Sequence, residues 1–296
     1  MKTEAAPFSP PPDREEQEAI VTDLRIGGMA LRDGVLLQTQ DHWAAAVRLP
    51  DGSLRVRSGP KSRLPGHDQL DKVPVLRGVA RMVEMTSSLP TLRRELGQPV
   101  LPQEDPRLLA ATVASAAATV VLRGTMRRAP LARELAVSAL SVLPALLAVR
   151  TTELSRFHGA EHKSVAAYET QSDPESAAKE HDRCGSNLIG PLLLTNLAGG
   201  LMLRATRRDT APLPTLLVGL ASLGSAFELF AWMSRHKGHP LADLLRLPGV
   251  TIQRVFTTRE PTEDQLDVAQ ASLRELLRLE GVELPGAGEA GVPVTL

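Results

Sequence analysis

Hydrophobic and polar positions divide the 296-residue chain into three kinds of pattern. From residue 24 to 57, short apolar stretches alternate with turn residues. Gly34-Val35-Leu36-Leu37-Gln38 predicts a strand. Trp43–Leu49, Pro50-Asp51-Gly52-Ser53 and Leu54–Arg57 predict strand, turn and strand, because Asp-Gly supplies the positive φ that a tight hairpin needs. Pro74–Val83 then places Val75, Val79, Met82 and Val83 at i, i+4, i+7 and i+8, the spacing of an amphipathic helix. A stripe this short reads as a cover for the β unit rather than as a helix lying on a membrane surface.

From Pro106 the alternation gives way to four apolar tracts, Leu108–Leu122, Leu135–Val149, Leu188–Leu203 and Leu213–Met233. The first two are alanine-rich and run about 15 residues, short of the roughly 20 that a span wants, so each fits either a marginal membrane helix or a buried core helix. Leu188–Leu203 has only Thr195 and Asn196 as strongly polar members, and Leu213–Met233 has one charge, Glu228. Gly199, Gly200, Gly219 and Gly224 would let such helices pack closely in lipid. Together the tracts predict a membrane-embedded four-helix unit. Its orientation is contradictory: arginines in the two short connections, among them Arg123, Arg133, Arg204 and Arg208, favour a cytoplasmic location for those turns, whereas an N-terminal β unit without an export signal favours the opposite.

After Gly238 the pattern is mixed again. Pro248–Gln253 predicts a strand or extended piece. Thr262-Glu263-Asp264-Gln265, following Pro261, starts a helix whose apolar stripe is Leu266, Ala269, Leu273, Leu276 and Leu277. The expected fold is therefore α+β, with a small N-terminal β unit, a mostly helical membrane-associated centre and a C-terminal amphipathic helix. Its segments are a disordered tail over 1–21, a β-rich unit over 22–105, a helical membrane and metal-site domain over 106–240, a strand and helix over 241–284, and a loose tail over 285–296.

Composition narrows the partners. With 34 basic and 34 acidic residues the formal charge is zero, and aromatic residues make up only 3 %, so neither a basic field nor stacking rings argue for nucleic acid. Membrane lipid is the expected partner, and self-association into a homo-oligomer is a further expectation. A single cysteine, Cys184, excludes an intrachain disulfide and fits a reducing compartment or a metal ligand.

Candidate chemistry concentrates in residues 156–187. On a helix over Leu154–Glu169, His158 and His162 stand one turn apart on one face, where two imidazoles can hold one ion, and Glu161 lies beside them to orient or deprotonate a water. His-x-x-Glu-His is also the order of the inverted zinc-protease motif. One such pair arises readily by chance, but His181-x-x-Cys184 offers a second chelating pair about 20 residues on, and imidazole with thiolate suits zinc. Glu228 is a further candidate ligand, because a carboxylate inside an apolar tract is costly unless paired or metal-bound. Glu169 is too far along the helix to be more than a weak candidate, and His236 and His239 read as a polar cluster at a membrane edge. Gly27-Gly28 could cradle a phosphate, but a lone glycine pair is more often a bulge or a close backbone approach, so no ligand is assigned to it. Lys61, Arg63 and His67 read as solvated loop surface.

Several of these residues carry a family resemblance. Ile26-Gly27-Gly28 with Asp33-Gly34-Val35, His158-Gly159-Ala160-Glu161-His162-Lys163, Tyr168-Glu169, His181-x-Arg183-Cys184-Gly185 and Thr257-Thr258-Arg259-Glu260-Pro261 resemble the YqhQ family of bacterial membrane proteins, a family of unknown function described as predicted metal-dependent enzymes. The resemblance implies a multi-pass protein of the bacterial cytoplasmic membrane and supports the His/Cys segment as its site, but supplies no substrate. The expected function is a metal-dependent hydrolase in which His158 and His162 bind zinc, Cys184 or His181 completes the sphere, Glu161 activates water and Glu228 supports the site. A scaffold with a structural metal and a transporter are the other classes in view.

Overall fold

The computed structural model describes residues 24–282 except 98, 102–103, 127, 150 and 209–210. Both predicted tails lie outside the described residues. Four strands, β1 (Gly27–Leu31), β2 (Gly34–Gln38), β3 (His42–Arg48) and β4 (Leu54–Pro60), form an antiparallel sheet in sequence order. Asp33 at φ 64° and Gly52 at φ 84° close two of its turns, as the Asp-Gly signal predicts.

The sheet is buried on both faces, which is why β2 and the alanine run of β3 show little alternation. One face, with Val35, Leu37, Ala44 and Ala46, packs on α6 (Thr152–Thr170) and α10 (Glu263–Leu279), which meet it through Phe157, Ala160, Val268 and Leu276. The other, with Leu36, Trp43, Ala45 and Val47, is covered by Leu89, Leu92 and Leu96 of α3 (Leu89–Leu96). The Thr262–Gln265 capping box starts α10 as expected, and Ala269, Leu273, Leu276 and Leu277 of its stripe are buried.

A short helix, α1 (His67–Leu70), precedes α2 (Leu76–Thr86). The expectation that α2 covers the β unit is not met, since α3 does that. Instead α2 lies along α8 (Pro212–Arg235). Gly78 seats against Phe227, and Gly224 of α8 against Val75. Small residues and an ion pair join Val75 of the stripe in this contact, so the stripe alone did not name the partner helix.

The four apolar tracts become α4 (Pro106–Thr125), α5 (Pro130–Val149), α7 (Ile189–Ala205) and α8. Counting the 3₁₀ turn Gly185–Leu188 with α7, all four are long and apolar enough to cross a membrane. They form two hairpins, α4–α5 and α7–α8. The turns of both lie at one end, where Arg123 donates to Thr215 Oγ1 at 3.4 Å. At 1.5 Å per residue, 20-residue α4 and α5 each reach about 30 Å, so the turns sit far from the sheet. Arg133 and Glu134, which border an apolar tract in the sequence, are fully buried there. Arg133 Nε donates to Glu134 Oε1 at 2.8 Å, Arg123 lies 3.9 Å from Oε2, and Gly200 of α7 leaves room for the carboxylate.

The strand expected over Pro248–Gln253 is instead helix α9 (Pro240–Ile252), which continues into a π-helical turn, Gln253–Thr257. Val250, Thr251 and Ile252 have strand propensity, but packing overrides it: His239 caps α9 through Leu241 N, and Gly249 seats directly on Ser186 and Asn187.

Candidate metal centre

Helix α6 supplies most of the polar cluster at the base of the hairpins. Thr151 enters it in extended conformation, Glu153 sits favourably in its first turn, and Gln171 ends it at φ 50°. One face meets the sheet, and the adjoining face carries His158, Glu161 and His162. The two imidazole centroids are 4.3 Å apart. Cys184, which begins the 3₁₀ turn before α7, brings Sγ to 3.3 Å from His158 Nε2. One ligand atom from each of His158, His162 and Cys184 lies within 4.8 Å of the others.

Hydrogen bonds fix which nitrogens face the cluster. His158 Nδ1 donates to the Thr257 carbonyl at 2.8 Å and His162 Nδ1 to the Lys179 carbonyl at 2.6 Å. In a neutral ring this leaves Nε2 with its lone pair directed to the centre, the outer-shell arrangement of metal-ligating histidines. Cys184 Sγ accepts from Ser186 Oγ at 3.3 Å. Burial keeps His162 below the usual histidine range, favouring the neutral, ligating form. The donor set, two imidazoles and a thiol, fits zinc.

Glu161 is also buried, and its Oε2 lies 3.6 Å from His162 Nε2 and 3.9 Å from His158 Nε2. Burial pushes its carboxyl above the ordinary range, opposed by His158 and His181. The carboxylate rests against β1 at Gly28, where any Cβ would overlap it. The close-approach reading is therefore met at Gly28, while a Cβ on Gly27 would meet nothing within 4 Å.

Two expected ligands stand elsewhere. His181 lies beside the cluster, 5.8 Å from the His162 ring, but its Nε2 contacts Glu169 at 3.1 Å and Glu169 also pairs with Arg183. Glu228 is a correction: it accepts from Arg77 Nε at 2.7 Å and from Val75 N at 3.2 Å, so the carboxylate in the apolar tract is answered by an arginine of α2 and not by the cluster. His236 and His239 pack around Trp232.

Sequence reasoning missed the groups that support the cluster. Gly159 lets the Arg259 carbonyl lie directly on α6, where a Cβ would clash, and so carries Thr257 to His158. Lys163 reaches the same segment through Glu260. Gln253 donates to Ser186 Oγ at 2.7 Å and accepts from His181 N at 3.2 Å, tying the π-helical turn to the cysteine loop. An isolated glycine within a helical pattern was the available signal for Gly159. The backbone carbonyls of Thr257 and Lys179 leave no signal in a sequence.

Fold and site together define a mostly helical protein with four helices suited to cross a membrane and a buried two-histidine, one-cysteine cluster at their base. Residues 141–279 match a family model described as protein of unknown function (DUF1385). The chain is 26 % identical over 302 residues to "Uncharacterized protein YqhQ" of Bacillus subtilis (strain 168), covering 86 % of this chain and 93 % of that protein. Both findings support the YqhQ family resemblance, and the matched span of this chain includes His158, His162 and Cys184. No solved structure matches the chain.

Proposed function

We propose that this is a membrane-embedded, metal-dependent hydrolase whose ion is held by His158, His162 and Cys184. The observation that carries the reading is the convergence of two oriented Nε2 atoms and one thiol within 4.8 Å, with a buried carboxylate on their flank. Such an ion, zinc by its donor set, would supply Lewis acidity that polarises the scissile group and makes water a nucleophile near neutral pH.

The chain's own groups divide the remaining work. Thr257 and Lys179 hold the imidazoles in the ligating tautomer. Glu161 Oε2 accepts the proton of the attacking water and returns it to the leaving group, and its burial makes it a stronger base than a solvated carboxylate. Three ligands among the described residues favour an open fourth position over the closed shell of a structural zinc, which weighs against a scaffold. Of the two features behind the transporter reading, Glu228 and the small-residue helices, Arg77 accounts for the first.

The test is metal-loaded, full-length protein assayed against a panel of ester, amide and phosphoester substrates. Turnover should vanish on chelation, return with zinc, and fall by about 10²–10⁴-fold in Glu161→Gln while the metal content stays at wild-type level. A Glu161→Gln protein with unchanged turnover contradicts the assignment of the base. A folded wild type that takes up no metal contradicts the whole reading.

A further inference from the structure

A cavity of about 610 Å³ opens beside β1. Gly27 and Gly28 form part of its wall, and Gly28 is the residue against which Glu161 rests, so β1 adjoins both the cavity and the cluster. Its other walls come from β2, from the segment after β4 and from α2, which lies along α8 at the base of the hairpins.

The lining is cationic. Arg25, Lys61, Arg63 and Arg81 face Asp71 and Glu84. Four of these six charges are already engaged with a partner on the wall or behind it: Arg81 and Asp71 with each other at 2.7 Å, Arg63 with Asp41, and Glu84 with His67 Nδ1 and the Leu64 amide, both at 2.8 Å. Arg25 and Lys61 have no carboxylate within ion-pair distance among the described residues. Lys61 is half-buried, with only the Thr39 carbonyl at 3.4 Å from Nζ, and burial holds its ammonium below the usual lysine range. Glu84 and Asp41 act on this cation only from beyond ion-pair distance, so an anion from outside the chain would stabilise it further. The glycine pair leaves backbone accessible beside it, and Arg25 offers the planar fork suited to oxyanions.

We propose that this cavity binds a phosphate-type oxyanion through Arg25 and Lys61, and that it is the anionic group of the substrate worked on at the neighbouring cluster. Only the second clause rests on the hydrolase reading. The two residue groups passed over separately in the sequence, Gly27-Gly28 and the Lys61–His67 loop, become one site because the sheet end and α2 close around them. Exposed Val73, Leu76 and Val83 on the α2 segment place apolar surface next to the charged wall, which suits a phosphate carried by an amphiphile as well as a free one.

Full-length protein in neutral detergent, stripped of metal by a chelator, is titrated calorimetrically with inorganic phosphate, dihexanoyl phosphatidylglycerol and, as a zwitterionic control, dihexanoyl phosphatidylcholine. Saturable binding of phosphate or of the glycerol lipid is expected, weakened tenfold or more in Lys61→Met and in Arg25→Gln. Binding of both probes identifies a site for small phosphates, and binding of the lipid alone identifies a headgroup site. Thermal unfolding midpoints matching wild type show that the variants are folded, and Arg25 is exposed, so its variant serves even where Lys61→Met unfolds. No saturable binding of either anionic probe, or folded variants that bind as wild type does, overturns the proposal. Because the protein is metal-free, a failure to find zinc elsewhere leaves this result intact, and a failure here leaves the metal centre intact.

Discussion

Two buried polar clusters among the described residues, one toward each end of the apolar helices, are built on opposite principles. At the turn end, Arg133 and Glu134 lie side by side with Arg123 close by, so cations and carboxylate answer one another. At the base, His158, His162 and Cys184 direct lone pairs at a common point, and the carboxylate beside them adds more. The first pairs opposite charges within the protein. The second gathers acceptor atoms, with the Ser186 hydroxyl donating to Cys184 Sγ, and its donor set suits a cation. Burial alone therefore does not mark a site; the sign of what converges does.

Breaking the charge-paired cluster should show up as stability. Glu134→Ala strands Arg133 and Arg123 in the bundle and should cost about 3–5 kcal/mol, read by denaturation in detergent. Metal content per folded molecule should stay at the wild-type level, because the His/Cys group lies at the other end of helices about 30 Å long.

Loosening the support of the acceptor cluster should show up as affinity. Gly159→Ala pushes the Arg259 segment off α6 and withdraws Thr257 from His158. Loss of such an outer-shell partner should weaken zinc binding by roughly 10–100-fold, measured by competition with a chromophoric chelator. Gly28→Ala drives a methyl into the Glu161 carboxylate and should lower turnover more than zinc affinity.

The smallest effect sharpens the contrast from the outside. Glu228→Gln, in the same apolar helix layer, should change zinc affinity by less than about twofold while weakening the α2–α8 contact, since its partners are Arg77 and Val75. A larger loss of zinc would return Glu228 to the metal centre.

Much of this architecture is legible along the chain because its cause is local. Asp51-Gly52 dictates a turn, charge-free tracts dictate apolar helices, and His158 and His162 share a helix face through their spacing. What was not legible depends on distant partners. A carboxylate in an apolar tract announces a partner without naming it, and Arg77 lies 151 residues away in sequence. Val250-Thr251-Ile252 has strand propensity, and the His239 cap and the seat of Gly249 on Ser186 and Asn187 make it helical. His181 had the right spacing to Cys184, yet Glu169 and Gln253 turn it aside.

The most direct test of the metal centre is zinc X-ray absorption on full-length protein loaded with one equivalent of the metal. His158, His162 and Cys184 predict one sulfur at about 2.3 Å with nitrogen and oxygen neighbours at about 2.0–2.1 Å, and the sulfur shell should disappear in Cys184→Ser. A wild-type spectrum without sulfur, or bound zinc that survives His158→Ala combined with His162→Ala, would place any metal elsewhere and leave the cluster a buried polar group of the fold.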